Sequence, residues 1–205
     1  MSNRVLQLYK SRKYLLELLD EQNYDVSNYE NFSINEVDAM AMNSQLDMLL
    51  KRKDAESFVY VNYVKKLSAD TLERLVEDLF EIEMVLKDKT KDHIIMILDN
   101  EPNQTTIDKI KYIFDKDGYF IIPYNIARLQ FNILKHVLVP KATVLKENEI
   151  DALFKTFNLS SSSNLPEISR FDPQAMAIGI RPGQILKLER KSPTAMNSLY
   201  YRVCI

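Results

Sequence analysis

Two acidic residues, Asp99 and Glu101, directly follow the apolar stretch from His93 to Leu98 and are the best placed in the sequence to do chemistry. Carboxylates at the end of a buried strand can hold a divalent metal ion for phosphodiester cleavage. Metal nucleases of this kind usually add an acid and a lysine two residues apart on the next strand. Residues 1–134 contain no Asp or Glu followed by Lys two positions later. The favoured interpretation is a solvated turn closed by Pro102, and a metal-dependent nuclease remains an alternative.

Other catalytic signatures are missing from the sequence. The glycine pair in "GIRPG", Gly179 and Gly183, lacks the Lys-Ser/Thr pair of a nucleotide-binding loop, and no Gly-x-Ser-x-Gly motif is present. Cys204 is the single cysteine, and His93 and His136 are the only histidines, so no set of residues has zinc-ligand spacing. We therefore predict no catalytic residue, no metal, no cofactor and no small-molecule ligand.

The elements that would position Asp99 and Glu101 alternate between strands and helices, which favours an α/β layer arrangement. A first helix from Arg4 to Leu19 is amphipathic, with Arg12 and Lys13 expected toward its outer side. In "SINE", Ser33 stands three residues before Glu36, the spacing of a capping box that opens a second helix. The remaining pattern predicts strands over residues 57–64, 93–98 and 119–122. It also predicts a helix that Asp70 and Glu73 open and that extends to Phe80, and a helix through Ile107 and Phe114 that stops at Gly118.

The pattern changes near Lys135. A helix from Glu147 to Phe157 and strands over residues 184–190 and 199–205 predict a small α+β region that ends in a hairpin. Residues 1–134 hold 17 Lys and Arg against 23 Asp and Glu, a net charge of −6, whereas residues 135–205 hold 10 against 6, a net charge of +4. We predict two domains, 1–134 and 135–205.

With 46% hydrophobic residues and no apolar run near the ~20 residues of a membrane span, we expect a soluble chain without membrane contact.

Chain breakers are concentrated between Leu165 and Ser192, which hold two of the three glycines and three of the seven prolines. Proline fixes φ and lacks a backbone donor, and glycine accepts positive φ, so this segment should make several sharp turns. We expect a positive φ at Gly183. The turns either shape a surface or form an awkward route between helix and hairpin.

Four sequence blocks between His136 and Val203 resemble a known family. They read "HVLVPKATVL" from His136, "NLPEISRFDPQA" from Asn164, "GIRPGQILKLERKSPTA" from Gly179 and "YYRV" from Tyr200. In order and spacing they are similar to the fifth subunit by size of the eukaryotic nuclear RNA polymerases, which those enzymes share and whose archaeal counterpart consists of the C-terminal domain alone. Upstream, "LYKSRKYLLELLDEQNYDV" resembles the opening helix of the eukaryotic form, so the resemblance covers nearly the whole chain.

The resemblance implies a fold, partners and contacts. It implies an α/β N-terminal jaw domain with a nuclease-like shape but no active site, and a small α+β C-terminal assembly domain. The assembly domain would dock on the largest subunit of a DNA-directed RNA polymerase that also holds other subunits. The residues it implies at the subunit interface are His136, Val139, Pro140, Leu165, Pro166, Ile168, Asp172, Pro173, Gly179, Gly183, Gln184, Lys187, Ser192, Thr194, Tyr201 and Arg202.

A second set of residues is implied near DNA. In the family a turn before a helix lies close to downstream DNA, and the aligned residues here are Asn103, Gln104, Thr105, Thr106 and Lys109. A helix start offers unpaired N–H groups that suit a phosphate. Because residues 1–134 carry a net charge of −6, we expect contact with downstream DNA only within the assembled enzyme.

Several positions depart from the family pattern. Met176 and Ala177 replace an Arg-Tyr pair, Met196 replaces a glycine, and Lys146 stands where a Ser or Thr helix cap is usual, so the cap either moves to Thr143 or is lost. These departures indicate a remote lineage, and we expect a large cytoplasmic DNA virus of the African swine fever virus type. The predicted location is then the host cytoplasm and the virion, or the nucleus for a cellular homologue. A free transcription adaptor is a further alternative.

Overall fold

The computed structural model describes residues 3–65, 67–82, 84–192 and 194–205. The chain divides into two compact units, the first ending at Asn132 and the second running from Ile133 to Ile205. None of the helices within these ranges is long and apolar enough to cross a bilayer.

The first unit is an α/β layer structure around a four-stranded sheet. Its strands lie in the order β1-β2-β3-β4, with β1 antiparallel to β2 and the other pairs parallel. Every residue of β3 is buried, as expected for a central parallel strand covered on both faces. The predicted alternation of strands and helices is confirmed. The elements are α1 (Asn3–Glu21), α2 (Ile34–Met42), β1 (Met48–Lys51), β2 (Phe58–Val64), α3 (Ala69–Glu77), a π-helical turn (Asp78–Ile82), β3 (His93–Leu98), α4 (Gln104–Asp117), β4 (Phe120–Asn125) and a 3-10 turn (Ile126–Leu129).

Helix α2 begins with the predicted capping box. The Ser33 hydroxyl accepts from the backbone N–H of Glu36 at 3.4 Å, and the Glu36 carboxylate accepts from the backbone N–H of Ser33 at 2.6 Å. These two bonds satisfy donors that the first helical turn leaves free, and they hold the pKa of Glu36 below its usual value.

The expectation for Arg12 was wrong. Its side chain lies inside the unit, 2% exposed, and donates from Nη1 to the carbonyl of Leu46 at 3.0 Å. The rings of Tyr29 and Phe32 lie 5.6 and 5.4 Å from the guanidinium carbon. Because planar guanidinium groups stack on aromatic faces, this cation is accommodated in the apolar stripe of α1. Its neighbour Lys13 is exposed, as expected.

The second unit is built on a four-stranded sheet in the order β5-β7-β8-β6. Strands β7 and β8 form the predicted hairpin, with Ile185 opposite Val203 and Ser192 opposite Met196. Its buried core joins Ile168, Ala175, Ile180, Leu186, Leu188 and Cys204. The elements are a 3-10 turn (Ile133–Lys135), β5 (Lys141–Val144), α5 (Glu147–Phe157), a 3-10 turn (Ser162–Asn164), β6 (Glu167–Ile168), α6 (Pro173–Ile178), β7 (Ile185–Ser192) and β8 (Met196–Cys204).

Helix α5 has no side-chain cap at Lys146. Thr143 does not replace it, because Thr143 lies inside β5. A lysine ammonium has no acceptor, so only half of a capping box forms: the Glu149 carboxylate accepts from the backbone N–H of Lys146 at 2.9 Å. The hypothesis that the cap is lost here is therefore the correct one of the two.

Candidate functional site

The two acids that could have held a metal are each paired with an arginine. Asp99, after the end of β3, forms an ion pair with Arg4 of α1, and Glu101 accepts from Arg128 Nε at 2.9 Å. A cavity of about 750 Å³ lies beside Asp99 at the carboxyl ends of β2 and β3. Asp47, which directly precedes β1, also lines this cavity. Its carboxylate accepts from the Tyr60 hydroxyl at 3.0 Å and from the Asn62 amide at 2.8 Å. No group of three His, Cys, Asp or Glu residues in the described ranges is placed to hold a metal ion.

The turn before α4 is a helix cap. The Asn103 side-chain oxygen accepts from the backbone N–H of Thr106 at 2.8 Å and from its hydroxyl at 2.6 Å. Thr106 is buried. The Asn103 side-chain oxygen and the Thr106 hydroxyl, both from residues implied to lie near DNA, are therefore used within the helix cap.

The remaining residues of that set differ in accessibility. Lys109 forms an ion pair with Glu73 and lies 5.3 Å from the centre of the Tyr112 ring, so its charge is already engaged. Gln104 and Thr105 are exposed, and the Gln104 amide donates to Asp108 at 2.8 Å. The backbone start of α4, Gln104 and Thr105 therefore remain accessible to a ligand.

In the second unit, two of the chain breakers, Pro173 and Gly179, delimit helix α6. The Asp172 carboxylate accepts from the backbone N–H of Gln174 at 2.9 Å, Pro173 occupies the first helical position, and Gly179 ends the helix at a φ of 70°. Proline at a helix start and glycine just past its end are the usual choices. These three residues, implied to lie at the subunit interface, thus serve the unit's own fold. The same holds for Ile168, which lies in the core.

Gly183 turns the chain into β7 as predicted. Its φ is 87°, and a Cβ added there would meet no atom within 4 Å. The cost of any side chain at this position is therefore conformational strain and not a collision. The neighbouring Gln184 closes the turn, because its side-chain oxygen accepts from the backbone N–H of Arg181 at 2.8 Å. Both residues are exposed.

The start of β5 is held by the side chain of Gln174, a residue that no sequence pattern indicated. The Gln174 amide donates to the carbonyl of Pro140 at 2.7 Å and so ties α6 to this strand. Gln174 lies between the family residues Pro173 and Ala175, but nothing in its type or spacing indicated this bond.

The exposed apolar residues of the second unit lie beside the family residues and were also missed. Val137 is 97% exposed and Leu138 is 84% exposed, between His136 and Val139. His136 itself is exposed, and its Nδ1 accepts from the backbone N–H of Leu138 at 3.2 Å. Val139 and Pro140 are half-buried. The sequence offered no periodicity here from which exposure could be inferred.

The other implied interface residues are spread over the unit. Pro166, Thr194 and Arg202 are exposed, whereas Leu165, Lys187, Ser192 and Tyr201 are half-buried. The Pro166 carbonyl accepts from the backbone N–H of Val203 at 2.9 Å, Lys187 pairs with Glu189 at 3.6 Å, and Ser192 Oγ accepts from the N–H of Thr194 at 3.4 Å. The Tyr201 ring packs 5.8 Å from that of Phe157, and Arg202 donates from Nη1 to the carbonyl of Glu167 at 3.0 Å.

Two unusual positions in the hairpin are explained by conformation and burial. Met196 stands where the resembling family has glycine, and its φ is 54°, in the left-handed region that favours glycine. The methionine therefore occupies a strained backbone position.

Burial raises the pKa of the Cys204 thiol to about 11, so the thiol stays protonated and unreactive near neutral pH.

Comparison with known proteins points to one family. Residues 131–204 match the family described as RNA polymerase Rpb5, C-terminal domain. The chain is 45% identical over 79 residues to DNA-directed RNA polymerase subunit Rpo5 of Pyrococcus abyssi (strain GE5 / Orsay), a match that covers 38% of this chain and 95% of that protein. A similar match, at 40% identity, covers 38% of this chain and the whole of subunit Rpo5 of Archaeoglobus fulgidus.

One eukaryotic relative matches along its whole length. The Dictyostelium discoideum protein DNA-directed RNA polymerases I, II, and III subunit rpabc1 is 26% identical over 206 residues, which covers 99% of this chain and 98% of the relative. Both units of the chain therefore have counterparts in a eukaryotic protein. The archaeal relatives are little longer than the second unit alone.

Proposed function

This chain belongs to the Rpb5 and Rpo5 family of RNA polymerase subunits, and from that premise we propose how it serves the enzyme. It is a non-catalytic subunit of a multisubunit DNA-directed RNA polymerase. We propose that the second unit is its assembly domain and docks on the largest subunit, and that the first unit is a jaw bordering the channel for downstream DNA.

The observation that carries the docking proposal is the exposed apolar surface of the second unit. Val137 and Leu138 project almost fully from the residues between Ile133 and β5, and Leu199 and Tyr200 are half exposed on β8. Val137 and Leu138 are also adjacent, and contiguous exposed apolar surface marks protein–protein interaction sites more often than scattered single residues do. The archaeal relatives also support the second unit as the docking domain. A match of 79 residues, little longer than residues 133–205, covers 95% of the Pyrococcus abyssi protein.

Purification tests the function directly. A tagged copy of the full chain, expressed in the cells that normally make it, should co-purify with the two largest polymerase chains at equal stoichiometry and stay bound through gel filtration. A free adaptor would instead dissociate, and a nuclease would cut DNA alone in the presence of Mg²⁺. Either result would overturn the assignment.

The proposed place of the first unit leads to a second prediction. The isolated protein should show no measurable affinity for DNA, because its first 134 residues carry a net charge of −6. A photo-crosslinker at Gln104 or Thr105, the exposed residues at the start of α4, should nevertheless react with downstream duplex in an elongation complex. The control is a crosslinker at exposed Lys111 of the same helix. Salt-sensitive DNA binding by the isolated protein, or crosslinks no stronger than those from Lys111, would contradict the placement.

We also propose a viral source. The departures at Met176, Ala177 and Met196 support a lineage remote from the cellular subunits, and a large cytoplasmic DNA virus of the African swine fever virus type fits them. The protein would then act in the host cytoplasm and be packaged in the virion. Fractionation of infected cells and purified virions tests this location, and a purely nuclear protein would favour a cellular source.

A further inference from the structure

The sheet of the first unit has both of its edges protected. A sheet edge presents unpaired N–H and C=O groups that invite another strand, and proteins usually block it. On β1, the Tyr29 hydroxyl donates to the carbonyl of Leu49 and accepts from its N–H, each at 3.1 Å. On the opposite edge, β4 contains Pro123, which offers no donor.

In the second unit, edge strand β5 has a partial block and edge strand β6 is short. Strand β5 carries Lys141, whose exposed charge discourages pairing. Strand β6 has two residues, Glu167 and Ile168, and pairs only with Val203 and Cys204 at the end of β8. The rest of β8 therefore has a strand on one side only. Residues 198–201 of β8 form what we term the free edge.

Hydrogen-bond alternation shows which groups of the free edge are unpaired. The N–H of Cys204 points to the β7 side and donates to the Gln184 carbonyl, whereas the N–H of Val203 points to the other side and donates to Pro166, both at 2.9 Å. Because direction alternates along an antiparallel strand, the backbone groups of Leu199 and Tyr201 point away from β7. Within the described parts of the chain, neither residue makes a backbone hydrogen bond on that side.

The free edge also lacks the features that protect the other edges. It contains no charged residue and no proline, and Leu199 and Tyr200 are 53% and 48% exposed. Successive residues of a strand face opposite sides of the sheet, so an incoming strand would meet an apolar neighbour on each face. We propose that an extended, apolar segment of another polymerase subunit adds to this edge as a fifth strand.

The size of the edge indicates a partner larger than a peptide. Stable interfaces bury roughly 1,200–2,000 Å² in total, far more than four residues of one strand can supply. The added segment must therefore belong to a polypeptide that contacts the unit elsewhere as well, and Val137 and Leu138 offer such a contact. The proposal rests on the proposed function, because it takes the occupant from the assembled polymerase.

Single-residue hydrogen exchange tests the proposal on the intact protein. In the isolated chain, the amides of Leu199 and Tyr201 should exchange rapidly, whereas those of Tyr200 and Arg202, directed to β7, should be protected. In polymerase purified through this chain, exchange at Leu199 and Tyr201 should slow by at least tenfold. Unchanged rates in the assembled enzyme would overturn the added strand and leave the proposed function intact.

The same samples separate the remaining outcomes. If the chain does not co-purify with the polymerase, the proposed function itself fails. If Leu199 and Tyr201 become protected in the isolated protein as its concentration rises, the occupant is a second copy of this chain and the proposal is wrong.

A proline variant tests whether the backbone donor is used. Leu199→Pro removes an N–H that the fold does not use, and we expect at least a fivefold loss of recovery with the polymerase. Leu199→Val keeps the donor and should change recovery less than twofold. Thermal unfolding checks that both variants fold. If Leu199→Pro does not fold, Leu199→Lys takes its place, because a charge on the edge also blocks strand addition. Equal recovery of the blocking and control variants would refute strand addition.

Discussion

Replacing Asp92 with alanine is expected to lower the free energy of unfolding by about 3–5 kcal/mol, because this carboxylate holds three backbone donors inside the first unit. One oxygen accepts from the N–H of Phe58 at 2.7 Å, and the other accepts from those of Lys87 and Asp88 at 2.9 and 3.0 Å. The residue is 1% exposed. All three bonds are part-buried, and a hydrogen bond to a charged group contributes about 1.5–3 kcal/mol, so alanine loses several such contributions at once.

Urea unfolding followed by circular dichroism measures this loss. Asp92→Asn keeps one acceptor oxygen and should fall between alanine and the native residue. Asp108→Ala is the matched control: its carboxylate is exposed and accepts from the Gln104 side chain, so its loss should change stability by no more than about 0.5 kcal/mol. A loss below about 1 kcal/mol at Asp92 would mean that water or a local shift satisfies the donors.

The role of Asp92 illustrates what a sequence pattern leaves out. The apolar run that follows it predicted the strand from His93 to Leu98, and that strand is confirmed. The carboxylate, however, joins β2 to residues 87–88, which are separated from Phe58 by about thirty positions of sequence. Periodicity reports which face of an element is apolar, but not which distant backbone groups a buried side chain satisfies.

Arg12 shows two sequence rules in conflict. Its spacing placed it on the apolar stripe of α1, and its charge argued for the solvent side. The spacing was correct, because Tyr29 and Phe32 supply aromatic faces and Leu46 supplies a carbonyl acceptor. Those partners come from a loop and from the approach to β1, so nothing local to the helix could reveal them.

The candidate site was predictable where a residue acts through its own backbone. The positive φ of Gly183 followed from residue type alone and is confirmed. By contrast, the resemblance implied a docking role for Asp172, Pro173 and Gly179, which the structure places at the start and end of α6. A family motif combines residues required by the fold with residues required by a partner, and only burial and hydrogen bonding separate the two groups.

Val137 and Leu138 lead to the prediction with the largest effect on assembly. Replacing both with glutamine should lower recovery of the chain with the polymerase at least tenfold, while the free energy of unfolding changes by less than about 0.5 kcal/mol. The two side chains are 97% and 84% exposed, so the fold does not depend on them. Burying such a side chain against a partner contributes about 1.5–3 kcal/mol, and a loss of about 1.4 kcal/mol is tenfold in affinity.

The matched control for this pair is Met42→Gln with Ile82→Gln in the first unit. Met42 and Ile82 are 77% and 71% exposed, so the control removes a similar apolar surface from a region not proposed to dock. Recovery of both double variants is measured by quantitative pull-down with the largest polymerase chain. Equal losses would show that any exposed apolar pair affects recovery, and no loss in either would place the docking surface away from residues 137–138. A selective loss at Val137 and Leu138 follows only if the partner covers the segment that leads into β5.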